Sequence, residues 1–282
     1  MKGRVCRHLT KQQTAIMNKT MRIHLLAIIA LLLAIGSQAQ TVPSNQLFFG
    51  DFNRKTGKRI LYIGDSITDG GWGNSGGSAK PSDKRNHWDQ NHLLGHSYVM
   101  LCAARYTADH PTEDATFLNR GISGDSLMGL KMRWQQDVLD LHPDVLSVLI
   151  GTNDVNEWLR GGHGQPFDFA RWEAAYRTLI DAARGANPAV KVVLCSPFVA
   201  ASGKVGQAAD FALRQETIAQ LGRIVARICV DYNATFVDFH ALYARLQKQA
   251  PRADYWIWDG IHPTPAGHQQ MADLWLSATA LK

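Results

Sequence analysis

Five short apolar runs, each rich in β-branched residues and separated by segments of helical length, constrain this chain more than any other feature it carries. They occupy residues 59–63, 115–118, 145–150, 190–194 and 235–237. Their apolar character is continuous rather than alternating, which suits strands covered on both faces. Residues 97–108, 126–141, 169–184, 211–232 and 265–281 read as helices. In the second of these, Leu127, Leu130, Trp134, Val138 and Leu141 recur at steps of three and four, laying one apolar stripe along a helix. The last has a start signal, because Thr264 can cap it and Pro265 fits a first turn whose N–H needs no partner. Strands alternating with helices predict right-handed crossovers and a mostly parallel, five-stranded α/β sheet with helices on both faces, a three-layer α/β/α sandwich. In such sheets a ligand sits beyond the carboxyl ends of the strands.

The ends of the chain differ in charge. Residues 1–39 hold six basic groups (Lys2, Arg4, Arg7, Lys11, Lys19, Arg22) and no acid, so the other 243 of the 282 residues carry 24 Lys+Arg against 24 Asp+Glu. A neutral body has no basic footprint of the kind nucleic acid selects, so no nucleic-acid partner is expected. The leader itself runs from Lys19 and Arg22 into an apolar stretch at 25–36 and then Ser37-Gln38-Ala39, the order of a secretory signal. Twelve apolar residues make a helix of roughly 18 Å, whereas crossing a bilayer takes about 20 residues. Cleavage is therefore expected after Ala39, with no stable membrane insertion afterwards and a periplasmic or secreted product. Met17 or Met21 would give a more usual leader length, so the first sixteen residues read as a start-site extension. The expected organisation is a signal peptide at 1–39, an extended segment at 40–57 and one domain at 58–282. The oligomeric state is left open.

Three of the four cysteines, Cys102, Cys195 and Cys229, lie in the body, too few for a disulfide framework. They read as small buried hydrophobes. No zinc-ligand spacing accompanies them, and His87, His92 and His96 lack an acid-plus-histidine set of definite spacing, so no metal or other cofactor is expected.

Four turns that follow strands carry the chemistry. The first run ends in Gly64-Asp65-Ser66-Ile67-Thr68, which delivers the Ser66 hydroxyl to the carboxyl edge of the sheet at a helix N-terminus. There it can act as a nucleophile beside outward-pointing N–H groups, or simply cap the helix. Thr68 stands where a G-x-S-x-G elbow would need glycine. Near the C-terminus, Asp259 precedes His262 by three residues, so a folded loop can place the carboxylate on one imidazole nitrogen and leave the other for Ser66. Alone, such a pair is more often a surface hydrogen bond. Gly121-Ile122-Ser123-Gly124-Asp125 follows the second run and offers the Gly124 N–H. Gly151-Thr152-Asn153-Asp154 follows the third and offers the Asn153 amide. The coincidence of four such turns on one edge argues for a site. His240 and His268 compete with His262 as base, but His268 lies within the last helix and His240 has no acid at matching spacing.

Taken in order, Gly64-Asp65-Ser66-Ile67, Gly124 within its turn, Gly151-Thr152-Asn153-Asp154 and Asp259-Gly260-Ile261-His262 resemble the four blocks of the SGNH, or GDSL-type, hydrolases. The resemblance spans about residues 59–280, with Ile67 where the family has leucine. It implies a flavodoxin-like sandwich and metal-free ester hydrolysis, with Ser66 as nucleophile, His262 as base and Asp259 as its orienter. It likewise implies an oxyanion hole formed by the Ser66 and Gly124 N–H groups and the Asn153 amide.

The loop from Asp69 to Gly95 matches no shared block. Its Trp72 and Trp88 can stack on a sugar ring or an acyl chain, or can pin the loop to the domain. Export and a polar, aromatic-bearing loop favour short acyl esters, O-acetyl above all, on a carbohydrate. The rival readings are a lysophospholipase or thioesterase of the same family and a catalytically silent carbohydrate-binding relative.

Overall fold

The computed structural model describes residues 57–72, 93–162 and 164–281. The leader, most of the 40–57 segment, Trp88, His87 and His92 lie outside the described residues. Strands β1 (Arg59–Gly64), β2 (Thr116–Gly121), β3 (Val145–Leu149), β4 (Lys191–Cys195) and β5 (Thr235–Val237) form one sheet in the order β2-β1-β3-β4-β5. Every pairing is parallel. Helices α1 (Ser66–Asp69), α2 (Tyr98–Asp109), α3 (Leu127–Asp137), α4 (Thr152–Arg160), α5 (Phe169–Ala186), α6 (Gly203–Gly206), α7 (Phe211–Asp231), α8 (Phe239–Gln247) and α9 (Pro265–Thr279) connect and follow the strands.

The pleat sorts the strand side chains into two cores, one per face. Leu61, Ile63, Leu146, Val148, Val192 and Leu194 pack with residues of α3, α5 and α7. Ile60, Tyr62, Val145, Leu149, Val193 and Cys195 pack with α2, α8 and α9. Each such buried aliphatic or aromatic side chain contributes about 1.5–3 kcal/mol relative to exposure, so the double-sided apolar runs drive the sandwich. The polar member of β3, Ser147, is fully buried and accepts a hydrogen bond from Trp275 Nε1 at 2.9 Å. All three described cysteines are free and buried.

Three of the longer elements depart from the sequence expectation. The helix expected over 126–141 ends at Asp137, and a 3₁₀ turn at Leu139–Leu141 completes it. His142 then takes φ +47° ahead of Pro143, whose ring disfavours a helical residue before it. Helices α4 and α8 were not expected at all.

The order of the sheet positions the site. From β1 the chain crosses to β2 on one side, and later to β3 on the other, so the crevice between β1 and β3 is the switch point. Gly64 aligns with both Gly121 and Leu149. The turns after β1, β2 and β3 therefore emerge level with one another.

Candidate active site

Ser66 is the first residue of α1, the single helical turn after β1. Asp65 caps that turn, its Oδ1 accepting from Ile67 N–H at 3.0 Å, which fixes the backbone on both sides of Ser66. Ser66 Oγ lies 2.8 Å from His262 Nε2, across 196 residues of sequence. His262 Nδ1 lies 2.6 Å from Asp259 Oδ2. The same carboxylate holds its own loop, since Oδ1 accepts from the N–H groups of Ile261 and His262 at 2.9 and 2.7 Å. Serine, imidazole and carboxylate thus form one continuous hydrogen-bonded line.

The charges are tuned to match. Hydrogen bonding to Asp259 holds the His262 pKa above its ordinary value, outweighing burial, with the Asp259 and Asp65 charges adding to it. Burial pushes the Asp259 carboxyl up, but the bonds from His262 and the two backbone N–H groups bring it below its usual range. Asp65 is 1% exposed, and burial pushes its pKa to about 7 despite the Ile67 N–H and nearby His262.

The three groups assigned to the oxyanion hole stand on the level turns after β1, β2 and β3. Asp69 Oδ2 accepts from Ser123 N–H at 2.8 Å, and Ile122 N–H donates to Gly64 O at 3.0 Å, so the second turn is sewn to the first. Gly121 permits that approach: a Cβ there would lie 2.3 Å from the Asp69 nitrogen. Gly124 takes φ +89°, which glycine adopts without strain, and its Cβ direction points into open space. Asn153 sits in the first turn of α4, where its Nδ2 donates to Asp125 O at 3.0 Å and its Oδ1 accepts from Asn156 Nδ2 at 3.2 Å. Asp154 accepts from Leu127 N–H at the start of α3 at 3.1 Å and from Trp172 Nε1 of α5 at 3.0 Å, and burial pushes its pKa to about 6.

The competing histidines are placed differently. His268 in α9 accepts from Tyr98 N–H through Nδ1 at 3.2 Å, and burial lowers its pKa to about 4. His240 lies in α8, where burial lowers its pKa. His96 Nδ1 bonds to Gly70 O at 3.1 Å. Among the described residues no cluster of three or more His, Cys, Asp or Glu side chains could hold a metal ion.

Trp72 corrects one expectation. It is 0% exposed, its Nε1 donates to Gly121 O at 2.6 Å, and the Arg120 guanidinium lies over its ring at 5.0 Å. A ring so enclosed cannot stack on a substrate; it pins the start of the loop to the end of β2. The exposed aromatic that the sequence reading passed over is Trp258, 58% exposed, whose ring lies stacked beside the His262 ring at 6.1 Å and 24°. Its place immediately before Asp259 was the available signal.

This geometry, on this sheet, defines a class. A family model described as the GDSL-like Lipase/Acylhydrolase family matches residues 62–270, and the chain belongs to that family; it is a carboxylic ester hydrolase. Among particular relatives, it is 33% identical to an acetylxylan esterase from Geobacillus stearothermophilus over 228 residues, 78% of this chain and 93% of that protein. The crystal structure of that enzyme matches with a TM-score of 0.64 at 29% identity, covering 79% of this chain and 95% of the other. A structure from Parabacteroides merdae, described as a GDSL-like lipase, matches with a TM-score of 0.67 at 31% identity, covering 82% and 100%. Variants of the Geobacillus enzyme described as catalytic mutants replace a serine, an aspartate and a histidine three residues beyond that aspartate.

Proposed function

We propose that the chain is an exported serine esterase that removes short acyl groups, O-acetyl above all, from a carbohydrate through an acyl-enzyme. The observation that carries the reading is the unbroken line Ser66–His262–Asp259, with contacts of 2.8 and 2.6 Å at the switch point of the sheet. The Geobacillus relative supports it, because its catalytic mutants fall on the same three residue types with the same Asp-to-His spacing. Its description as an acetylxylan esterase supports the acetyl group and the sugar. Trp258 adds an exposed aromatic face beside the base on which a sugar ring can stack.

In the first half-reaction His262 Nε2 takes the Ser66 proton as Oγ bonds to the ester carbonyl carbon. The negative charge that develops on the carbonyl oxygen is met by the Ser66 and Gly124 N–H groups and Asn153 Nδ2. Asp259 holds the imidazole with Nδ1 protonated and stabilises the imidazolium. His262 then gives its proton to the sugar oxygen as the C–O bond breaks, leaving acyl-Ser66 and free alcohol. In the second half-reaction water loses a proton to His262 and attacks the acyl carbon, and the proton returns to Ser66 as the acid departs.

The test is a fluorophosphonate probe together with an ester panel. Wild-type protein labels at Ser66, Ser66→Ala does not, and acetylated xylo-oligosaccharides and short acyl esters turn over faster than long-chain lipids or thioesters. An unlabelled Ser66 removes the serine mechanism, and a preference for lysophospholipid or thioester removes the glycan reading. Export follows from the leader alone, so sequencing the N-terminus of protein recovered outside the cytoplasm is expected to begin within a few residues of Gln40. Recovery of Met1 or Met17 there would refute signal cleavage.

A further inference from the structure

The geometry points to Arg214, on α7, as a positioning residue for the oxyanion hole, acting through Asn156 on the amide of Asn153. The inference rests on Asn153 being an oxyanion donor, as proposed above. Three side chains from two helices form a directed chain. Arg214 Nη1 donates to Asn156 Oδ1 across 58 residues of sequence. Asn156 Nδ2 donates to Asn153 Oδ1 at 3.2 Å. Asn153 Nδ2 donates to Asp125 O at 3.0 Å, which occupies one of its two hydrogens and leaves the second for the substrate oxygen.

The direction follows from the chemistry of the ends. A guanidinium has donors and no acceptor, so Asn156 can meet Arg214 only with its oxygen. That turns the Asn156 NH₂ toward Asn153, which must answer with its own oxygen. At the far end Asp125 O is a pure acceptor and selects the Asn153 NH₂. The Asn153 amide is therefore clamped at both ends in the one orientation that presents an N–H to the hole. An amide held at one end alone can swing, and the hole needs its donor placed before charge develops.

The cation adds to this. Arg214 is 12% exposed at the side chain and paired with Asp210 at 3.5 Å, so its charge is only partly screened by water. Hydrogen bonds in series polarise one another, so a cation at the head of the chain makes the Asn153 N–H a better donor. Arg214 touches neither substrate nor any reacting atom, and its effect appears only as the oxyanion forms. That separates it from a residue that merely stabilises the fold.

The experiment is steady-state kinetics on 4-nitrophenyl acetate with the full chain, comparing Arg214→Met, Asn156→Asp, Asn153→Ala and the double variant Arg214→Met with Asn153→Ala. Asn156→Asp is the sharper probe, because the carboxylate keeps the partner of Arg214 yet turns an oxygen toward Asn153 Oδ1. Arg214→Met and Asn156→Asp are expected to lower kcat by about tenfold with KM little changed, a fraction of the roughly 10²- to 10³-fold that one oxyanion donor is worth. The double variant is expected to be no slower than Asn153→Ala alone, because the relay has nothing left to orient. Multiplying effects in the double variant, or a wild-type kcat in folded Asn156→Asp, would overturn the relay while leaving the oxyanion assignment intact. A wild-type kcat in Asn153→Ala would overturn both. Should Arg214→Met fail to fold, the kcat of Asn156→Asp decides.

Discussion

What separates His262 from His240 and His268 is what meets its two nitrogens. One faces the Ser66 hydroxyl and the other a carboxylate, whereas His268 spends a nitrogen on the Tyr98 N–H. The consequence is a difference in sign. His262 is held above the ordinary imidazole pKa of 6.5 by its bond to Asp259, while burial drives His268 well below that value. Only neutral imidazole can take the Ser66 proton, so kcat/KM is expected to rise with pH through an inflection above 6.5. Asp259→Asn removes the charge that favours the imidazolium and the control of the tautomer. It should lower both the inflection and kcat. A pH–rate profile on the two proteins checks this, and an inflection that stays put in Asp259→Asn would show that the pair does not govern the base.

At the scale of elements, what the sequence reveals depends on how local the cause is. The strands were legible because burial on both faces leaves an unbroken apolar run, as in β4, where Val192, Val193, Leu194 and Cys195 are all buried. The four site blocks were legible for a related reason: each is a short contiguous stretch, three of them between a strand and a helix and the fourth in the loop between α8 and α9. Helix α4 was not, because its buried positions are only Thr152, Val155 and Leu159 among polar neighbours. Helix α8 carries a readable stripe of Phe239, Leu242, Tyr243 and Leu246, and its cap Asp238 accepts from Ala241 N–H at 2.9 Å, but nine residues give the period little room to declare itself. The supports of the site were beyond reach of any local pattern. A tryptophan in a glycine-rich stretch does not tell whether it will face a substrate or turn inward, as Trp72 does against Gly121 O. Nothing in the helical stripe of α7 marks Arg214 as the partner of Asn156.

Across the whole molecule, buried ionisable groups set how stability depends on pH, and they pull in opposite directions. Asp65 and Asp154 have folded pKa values of about 7 and about 6, above the ordinary 3.8. Their contribution is fully present below the ordinary value and is lost as pH rises through the folded ones. His268 behaves in the converse way. Its folded pKa of about 4 lies below 6.5, so the unfolded chain takes up a proton the folded chain refuses, and stability falls as pH drops from about 6.5 toward 4. The structural reason is that Nδ1 must stay unprotonated to accept the Tyr98 N–H, a bond that joins α2 to α9 across 170 residues of sequence. By pH 5 this group alone should have removed on the order of 1–2 kcal/mol. Asparagine can offer an oxygen where Nδ1 stood and has no proton to gain. The melting temperature of His268→Asn is therefore expected to fall less than that of wild type between pH 7 and pH 5, whatever its value at neutral pH. The comparison cancels the carboxyl groups, which are common to both proteins. Parallel curves over that range would mean that His268 takes its proton as readily in the folded chain as in the unfolded one, and that the tie between α2 and α9 does not depend on a neutral ring.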